Sequence, residues 1–431
     1  MLLLPACADP SPPRPDIVLV SLDTTRADFV TPEVSPRVTS LAAKGTRFSW
    51  ALAHAPTTLS SHATVWTGLD PHGTRVVRNG TPLERGVDTL PARLQDAGYD
   101  TVAVIGASVL ERSQGLARGF RVYDERLGVD RTRRDEARAR EVTDRALERA
   151  KGRDPDRPLF LFVHYFDAHG PYDAPAPWTR VGGDPAYAGP VDGSQASVQA
   201  LAEAIRARTA DPADLTELRA RYRGEVAYVD AEVGRLLDGL ALKDPVVVVF
   251  GDHGEMLGED PHRPIGHGPD VDLPASHVPL VFSGPGVPVA TVDGVVGLRD
   301  VGATVLGLAG LAPTLGDGRD LATLWRGEPD PRTVMLEATQ PVDVELADAW
   351  PNLEKERGIA RDGHLLVRAP WLGQSPALYA LAPGQPLVVD RARLDALVAD
   401  LAAWDAAAGA HRSTRVDADI AEKLKALGYR D

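Results

Sequence analysis

The sequence predicts an α/β fold: a mainly parallel central sheet with helices on both faces, and after it a small C-terminal α+β subdomain. Three observations carry that prediction. Apolar strand-like runs alternate with stretches of helical spacing along most of the chain, the pattern of strands joined by crossover helices. Two of those runs, residues 16–23 and 246–255, are buried-looking strands that end in hard ligands: Asp23 on the first, Asp252 and His253 on the second. In an open α/β sheet ligands gather at the carboxyl ends of strands. The texture then changes to Gly, Pro and Asp around residues 313–331, which places a boundary there.

Taken in order, residues 16–22 predict the first strand. Residues 34–44 have helical spacing, and Gly45 is placed to stop them. Residues 60–67 predict a helix buried behind a loop. Residues 90–97 predict a helix ended by Gly98, and 101–105 the next strand. The charged, Ala-rich segment 135–149 predicts a helix. The apolar segment 158–164 predicts a strand that runs on to Tyr172. Residues 173–191, rich in Pro, Gly and Ala, read as a loop or lid over a site. A long helix over 215–240 precedes the strand 245–250 that delivers Asp252. A short strand at 278–282 and a helix at 300–308 follow. Beyond the boundary come strand-like pieces at 333–337, 358–367 and 377–381, then helices at 391–407 and 417–427. The chain thus divides into a tether (1–15), a large catalytic domain (16–315) and a smaller subdomain that completes the fold (316–431).

Composition narrows the partners. A chain of 431 residues is long for one core, and 43% apolar with 25% charged residues is ordinary for a globular protein. A net charge of −14 argues against a nucleic-acid partner, whose phosphates demand a basic face. It still permits an anionic substrate where a metal makes the site locally positive. No segment is apolar for long enough to span a bilayer. The single cysteine, Cys7, allows no intrachain disulfide. Leu4-Pro5-Ala6-Cys7 resembles the lipobox of bacterial lipoproteins, which implies a lipidated Cys7, a Pro-rich tether after it, and a place in the cell envelope or periplasm. Only six residues precede Cys7, and a signal peptide needs a basic start and a longer apolar run. The anchor reading therefore requires a start further upstream; otherwise the match is chance.

The chemistry lies in three segments. A carboxylate just past a buried strand, as at Asp23, lacks solvation unless a cation or hydrogen bonds meet it; the alternative is a cap on the next turn. Arg26 and Asp28 are expected to pair on the surface. Asp252 and His253 reach one metal if the backbone turns sharply, which Gly254 permits. Two carboxylates and an imidazole suit a divalent cation. Residues 57–62 precede an apolar stretch ending at Thr67-Gly68. A hydroxyl at the N-terminus of such a helix lies where backbone N–H groups favour negative charge, and metal coordination would make it a nucleophile. The alternative is that Thr57, Thr58 and Ser60 only cap the helix. Together the segments point to a metal-assisted ester hydrolase.

An ordered set of motifs resembles the sulfatase family of the alkaline phosphatase superfamily. It comprises Leu22-Asp23-Thr24-Thr25-Arg26-Ala27-Asp28, Thr58-Leu59-Ser60-Ser61-His62-Ala63 through Thr67-Gly68-Leu69, His164 to Tyr172, Asp252-His253-Gly254-Glu255 and Gly266-His267-Gly268. Smaller echoes at residues 115–120, 278–280, 284–286 and 378–381 fall in the same order, so the resemblance covers nearly the whole chain after about Asp16. It implies an alkaline-phosphatase-like α/β sandwich with a small C-terminal subdomain. It also implies one divalent ion on Asp23, Asp252 and His253, with Thr58 as a nucleophile touching the same metal. Attack would be in line, on sulfur or phosphorus.

The departures are as informative. Sulfatases proper make a formylglycine within a Cys/Ser-x-Pro-x-Arg signal, but here the three positions are Thr58, Ser60 and His62, so no formylglycine is expected. The family's Lys after a Gly is replaced at Gly106-Ala107. The pattern is closer to the Thr-nucleophile branch, which resembles phosphodiesterases, phosphonate hydrolases and phospholipid head-group transferases. His62 is expected to stand in partly for the missing Arg as a donor to a non-bridging oxygen. His169 and His267 are expected to protonate or stabilise the leaving group. A rival reading puts a second metal on Asp167, His169 and His267. His164 and Tyr172 read as packing, His262 as a loop residue, and Glu255 as support. The metal is expected to be Mn, Mg or Ca, or Zn if a second site exists. The substrate is expected to be a small-molecule, glycan or lipid ester of phosphate or phosphonate. The alternatives are a formylglycine-independent sulfatase, a head-group transferase and a catalytically silent glycan- or lipid-binding relative. Residues 173–214 and the C-terminal subdomain are expected to shape the choice of ester.

Overall fold

The computed structural model describes residues 14–127, 135–328, 330–339, 355–408 and 418–427. Cys7 and most of the expected tether lie outside them. In chain order the catalytic part holds strands β1 (Ile17–Leu22), β2 (Thr46–Leu52), β3 (Asp100–Val104), β4 (Val122–Asp124), β5 (Leu159–Tyr165), β6 (Val246–Gly251), β7 (Met256–Asp260), β8 (Arg263–Gly266), β9 (His277–Val278), β10 (Leu280–Ser283) and β11 (Ala290–Gly297). The central nine-stranded sheet runs β11-β2-β10-β6-β1-β5-β3-β4, with β9 beside β2. Strands β6, β1, β5, β3 and β4 are mutually parallel, and β10 lies antiparallel between β6 and β2.

The apolar runs are continuous because both faces of the sheet are covered. Successive side chains alternate faces. Ile17, Leu19, Phe160, Phe162, Val248 and Phe250 enter one core with helices Thr58–Thr67, Leu90–Asp96 and Asp300–Leu308. Val18, Val20, Leu161, Val163, Val247 and Val249 enter the other, with helices Ala139–Lys151 and Pro212–Leu240. The mainly parallel sheet with helices on both faces is therefore present as expected.

Several elements differ. The strand expected over 278–282 is split by Pro279, which has no N–H to give a ladder. The strand expected over 358–367 is a hairpin, β13 (Arg357–Arg361) and β14 (His364–Arg368), folded at Asp362-Gly363, whose φ values of 50° and 73° are those of a tight hairpin turn. With β12 (Val334–Glu337) and β15 (Ala377–Ala380) it makes an antiparallel sheet in the order β12-β13-β14-β15. One face of that sheet shares a core with the main sheet, where Leu52, Val271 and Val295 meet Leu336, Ala360 and Leu365. Helix Arg391–Ala407 covers the other face through Leu397 and Leu401. No helix among the described residues is long and apolar enough to cross a membrane.

Candidate active site

Three neighbouring strands end level. Leu22 of β1 is paired with Gly251 of β6 on one side and with Tyr165 of β5 on the other. By alternation Ser21, Asp23, His164 and Asp252 fall on the face that helix Thr58–Thr67 covers. Ligand atoms of Asp23, Asp252 and His253 lie within 4.8 Å of one another, and none of the three residues has exposed surface. Thr58 opens the helix. Its Oγ1 donates to Asp23 Oδ2 at 3.1 Å and stands 3.4 Å from His253 Nε2. The helix starts at Thr58, ahead of the expected Ser60, so the hydroxyl sits in the first turn. Thr57 makes no side-chain capping bond. The first turn is held by Asn79 instead, whose Oδ1 accepts from Leu59 N at 2.9 Å.

The donor set fits a divalent cation. Asp23 Oδ1 and Asp252 Oδ2 are buried with no hydrogen-bond donor, which in a dry site is costly for a carboxylate oxygen. Burial, and at Asp252 next the charge of Asp23, pushes both carboxyls well above their ordinary range. A cation between them removes that conflict. The imidazoles are arranged to match. His253 Nδ1 faces Gly254 O at 3.0 Å, His169 Nδ1 faces Gly170 O at 2.8 Å, and His267 Nδ1 faces Pro56 O at 2.9 Å. A carbonyl accepts only from a protonated nitrogen, so each ring keeps its proton on Nδ1 and its lone pair on Nε2. Burial lowers all three, His169 to about 4 and His267 to about 3.

The loop carrying Asp23 is held from several sides. Thr24 has a left-handed φ of 47°, rare for a β-branched residue. It is kept there by Tyr222, whose hydroxyl donates to Thr24 O at 2.6 Å, and by its own N–H donating to Asp252 Oδ1 at 3.1 Å. Arg26 and Asp28 do pair, but Arg26 is buried rather than on the surface. Its guanidinium also binds Glu259 and the Glu255 carbonyl, tying this loop to β7. Gly254 serves a close approach, not a left-handed turn: a Cβ there would lie 2.0 Å from Pro274 O. Tyr172 donates to Glu255 Oε2 at 2.7 Å, while burial pushes Glu255 up to about 8.

Two expectations change at His62 and His164. Both ring nitrogens of His62 are engaged inside the protein, Nδ1 with Thr58 O at 2.7 Å and Nε2 with Ser21 Oγ at 2.9 Å. Trp66, Phe162 and Phe250 pack around the ring. His62 thus braces the helix against β1 and has no nitrogen left to donate to a substrate oxygen. His164, read as packing, has its Nδ1 accepting from Gly106 N at 3.3 Å, so Nε2 carries the proton and donates to Asp23 Oδ2 at 3.0 Å. Its place on the face shared with Phe160 and Phe162, at the end of β5, was the available signal. Asn79 left none, because its bond crosses a loop.

Asp167, His169 and His267 do not gather into one ligand group among the described residues. The charge of Asp167 bears on Tyr165 and Tyr228, in the core on the opposite face of the sheet. His267 stands between His253 and His169, with ring centroids 4.4 Å and 5.2 Å away. A cavity of about 300 Å³ reaches His169 and His267 from outside, between helix Gln195–Arg206 and the β7–β8 hairpin. Thr58 itself has no exposed surface in this conformation.

Comparison with known proteins agrees with this geometry. The family model described as Sulfatase matches residues 15–311. Choline-sulfatase of Rhizobium meliloti (strain 1021) is 24% identical over 394 residues, which cover 78% of this chain and 74% of that protein. Among solved structures, the phosphonate monoester hydrolase SpPMH from Silicibacter pomeroyi superposes with a TM-score of 0.67 at 20% identity, over 92% of this chain and 96% of the other. The phosphonate monoester hydrolase of Agrobacterium radiobacter does so with a TM-score of 0.64 at 23% identity, over 96% and 95%. At these identities the structural likeness speaks for the fold.

Proposed function

This chain belongs to the sulfatase family and is an ester hydrolase, and within that class we propose that it cleaves a phosphate or phosphonate ester with Thr58 Oγ1 as the nucleophile. One divalent ion would be held by Asp23, Asp252 and His253, whose oxygen-rich donor set suits Mn, Mg or Ca. The observation that carries the reading is the position of the hydroxyl, 3.1 Å from Asp23 Oδ2 and 3.4 Å from His253 Nε2 in the first turn of a buried helix.

Phosphorus is favoured over sulfur by the residue at position 58. A threonine cannot become formylglycine, so a threonyl sulfate would lack the hemiacetal route of release and would have to be hydrolysed at sulfur. In the proposed reaction Thr58 Oγ1 passes its proton to Asp23 Oδ2 and bonds to phosphorus, and the bond from phosphorus to the alcohol oxygen breaks. The bound ester's negative charge raises the pKa of His169 and His267, so that Nε2 of one of them protonates the departing oxygen. Water then attacks phosphorus, giving a proton to the imidazole that lost one, and the bond to Thr58 Oγ1 breaks as Asp23 returns that oxygen's proton. The metal, when bound, supplies Lewis acidity to the phosphoryl oxygens.

The test compares an aryl phosphodiester, an aryl phosphonate and an aryl sulfate on metal-reconstituted protein, with Thr58→Ala as control. The expected result is turnover of the phosphorus esters that vanishes in the variant. Turnover retained with metal still bound would move the nucleophile to Ser60, Thr57 or water. Faster sulfate turnover would make the protein a formylglycine-independent sulfatase.

A further inference from the structure

The cavity beyond His169 and His267 has a wall that the reaction above does not use. Helix Gln195–Arg206 runs along it with two stripes. Val198, Leu201 and Ile205 pack into the core beneath. Gln199, Glu203 and Arg206 follow one another at four and three residues, so they share a face. That face lines the cavity, and all three are exposed. Their side chains make no hydrogen bond or ion pair to any described residue.

The opposite wall limits what they can read. Arg263 lines it, but its guanidinium already binds Asp260 at 2.9 Å, Asp272 at 2.5 Å and both oxygens of Glu356 at 2.9 and 2.8 Å. Outnumbered by carboxylates, it has nothing to offer a second anionic group on the substrate. Tyr172 is the one six-membered ring among the lining residues. It is buried, with its hydroxyl on Glu255, so no open face of a six-membered aromatic ring is offered to a quaternary ammonium.

We propose that Gln199, Glu203 and Arg206 bind the alcohol half of the ester, and that this alcohol is an uncharged polyol of about monosaccharide size. An amide, a carboxylate and a guanidinium side by side offer paired donors and acceptors to neighbouring hydroxyls. On the exposed helix face Glu203 and Arg206 balance in charge, which suits a neutral group, while the other carboxyls of the lining, Glu255 and Asp270, are buried. A volume of about 300 Å³ accommodates one sugar ring. The assignment rests on the reaction proposed above only for its catalytic readout.

The experiment uses the full metal-reconstituted chain and two monoesters of similar shape, glucose 6-(methylphosphonate) and cyclohexylmethyl methylphosphonate, with the choline ester as a third. Gln199→Ala and Glu203→Ala alter exposed helix positions and leave the core untouched. Binding of methyl glucoside, followed by saturation-transfer NMR, reads the cavity without turnover. The wild type should prefer the glucose ester. Each variant should lower kcat/KM for it about tenfold while sparing the cyclohexylmethyl ester, and should weaken glucoside binding to match. Equal rates on the two esters, variants that slow both alike, preference for choline, or no glucoside binding would each overturn the assignment. Absent turnover of every phosphorus ester with glucoside still bound would overturn the proposed reaction and leave the cavity assignment standing.

Discussion

His164 stands behind Asp23 and fixes which way its carboxylate points, since the Gly106 amide on one nitrogen forces the proton onto the other. Partners of this kind typically tune metal affinity by about 10–100-fold. His164→Ala is therefore expected to weaken metal binding by that order with the fold retained, measured by competition with a chelator and by circular dichroism. Unchanged affinity would make His164 a packing residue, as the sequence alone suggested. Asp23, Asp252, His253 and Thr58 were legible as candidates because each sits where an apolar run ends or a helix begins. His62 was misread because its role depends on a carbonyl one turn back and on Ser21 of another strand, neither visible from spacing. Arg26 was misread for a similar reason: its partner Glu259 lies on a hairpin that the sequence pattern did not reveal.

At the scale of elements, β2 meets the C-terminal sheet through His54. The ring is fully buried, its Nδ1 donates to Met335 O at 2.8 Å, and its carbonyl accepts from Glu337 N. Burial, then the charge of Arg299, lowers its pKa from 6.5 to about 4. The folded state therefore holds this ring neutral, while the unfolded chain takes up a proton below 6.5. Its contribution to stability is full above pH 6.5 and is lost as pH falls towards 4. The wild type should lose more stability than His54→Asn between pH 7 and pH 4.5 in urea unfolding; parallel losses would show that His54 does not titrate with folding. Elements with one consistent apolar stripe or run were readable in the sequence. Strands β2 and β11 were not, since exposed Arg47 interrupts one and exposed Thr291 and Asp293 the other, and helix Gln195–Arg206 was hidden in the segment 173–214, read only as shaping the choice of ester.

At the scale of the whole molecule, the C-terminal sheet is joined to the catalytic part by shared apolar packing and by a buried charge network. Arg357 binds Glu337 at 2.8 Å and Asp405 at 3.3 Å, and His72, close after the Thr58 helix, reaches the same Glu337 at 2.9 Å. Removing one member of a buried network strands the others, at a cost of about 3–5 kcal/mol. Arg357→Met is expected to lose that much in a single calorimetric transition, because the two parts share an apolar core; a second, separate transition would show that they fold apart. The order of the central sheet also bears on how the protein is made. Strand β1 leaves the ribosome well before β6, which fills the place beside it, and Asp252 follows Asp23 by roughly 10–50 s at ordinary synthesis rates. Throughout that interval the nascent chain carries an apolar strand with at least one edge unpaired, both until β5 is made, and a carboxylate without its counterpart. A message cut short before residue 246 would thus yield no half-active enzyme, only a sticky fragment for chaperones and proteases to clear.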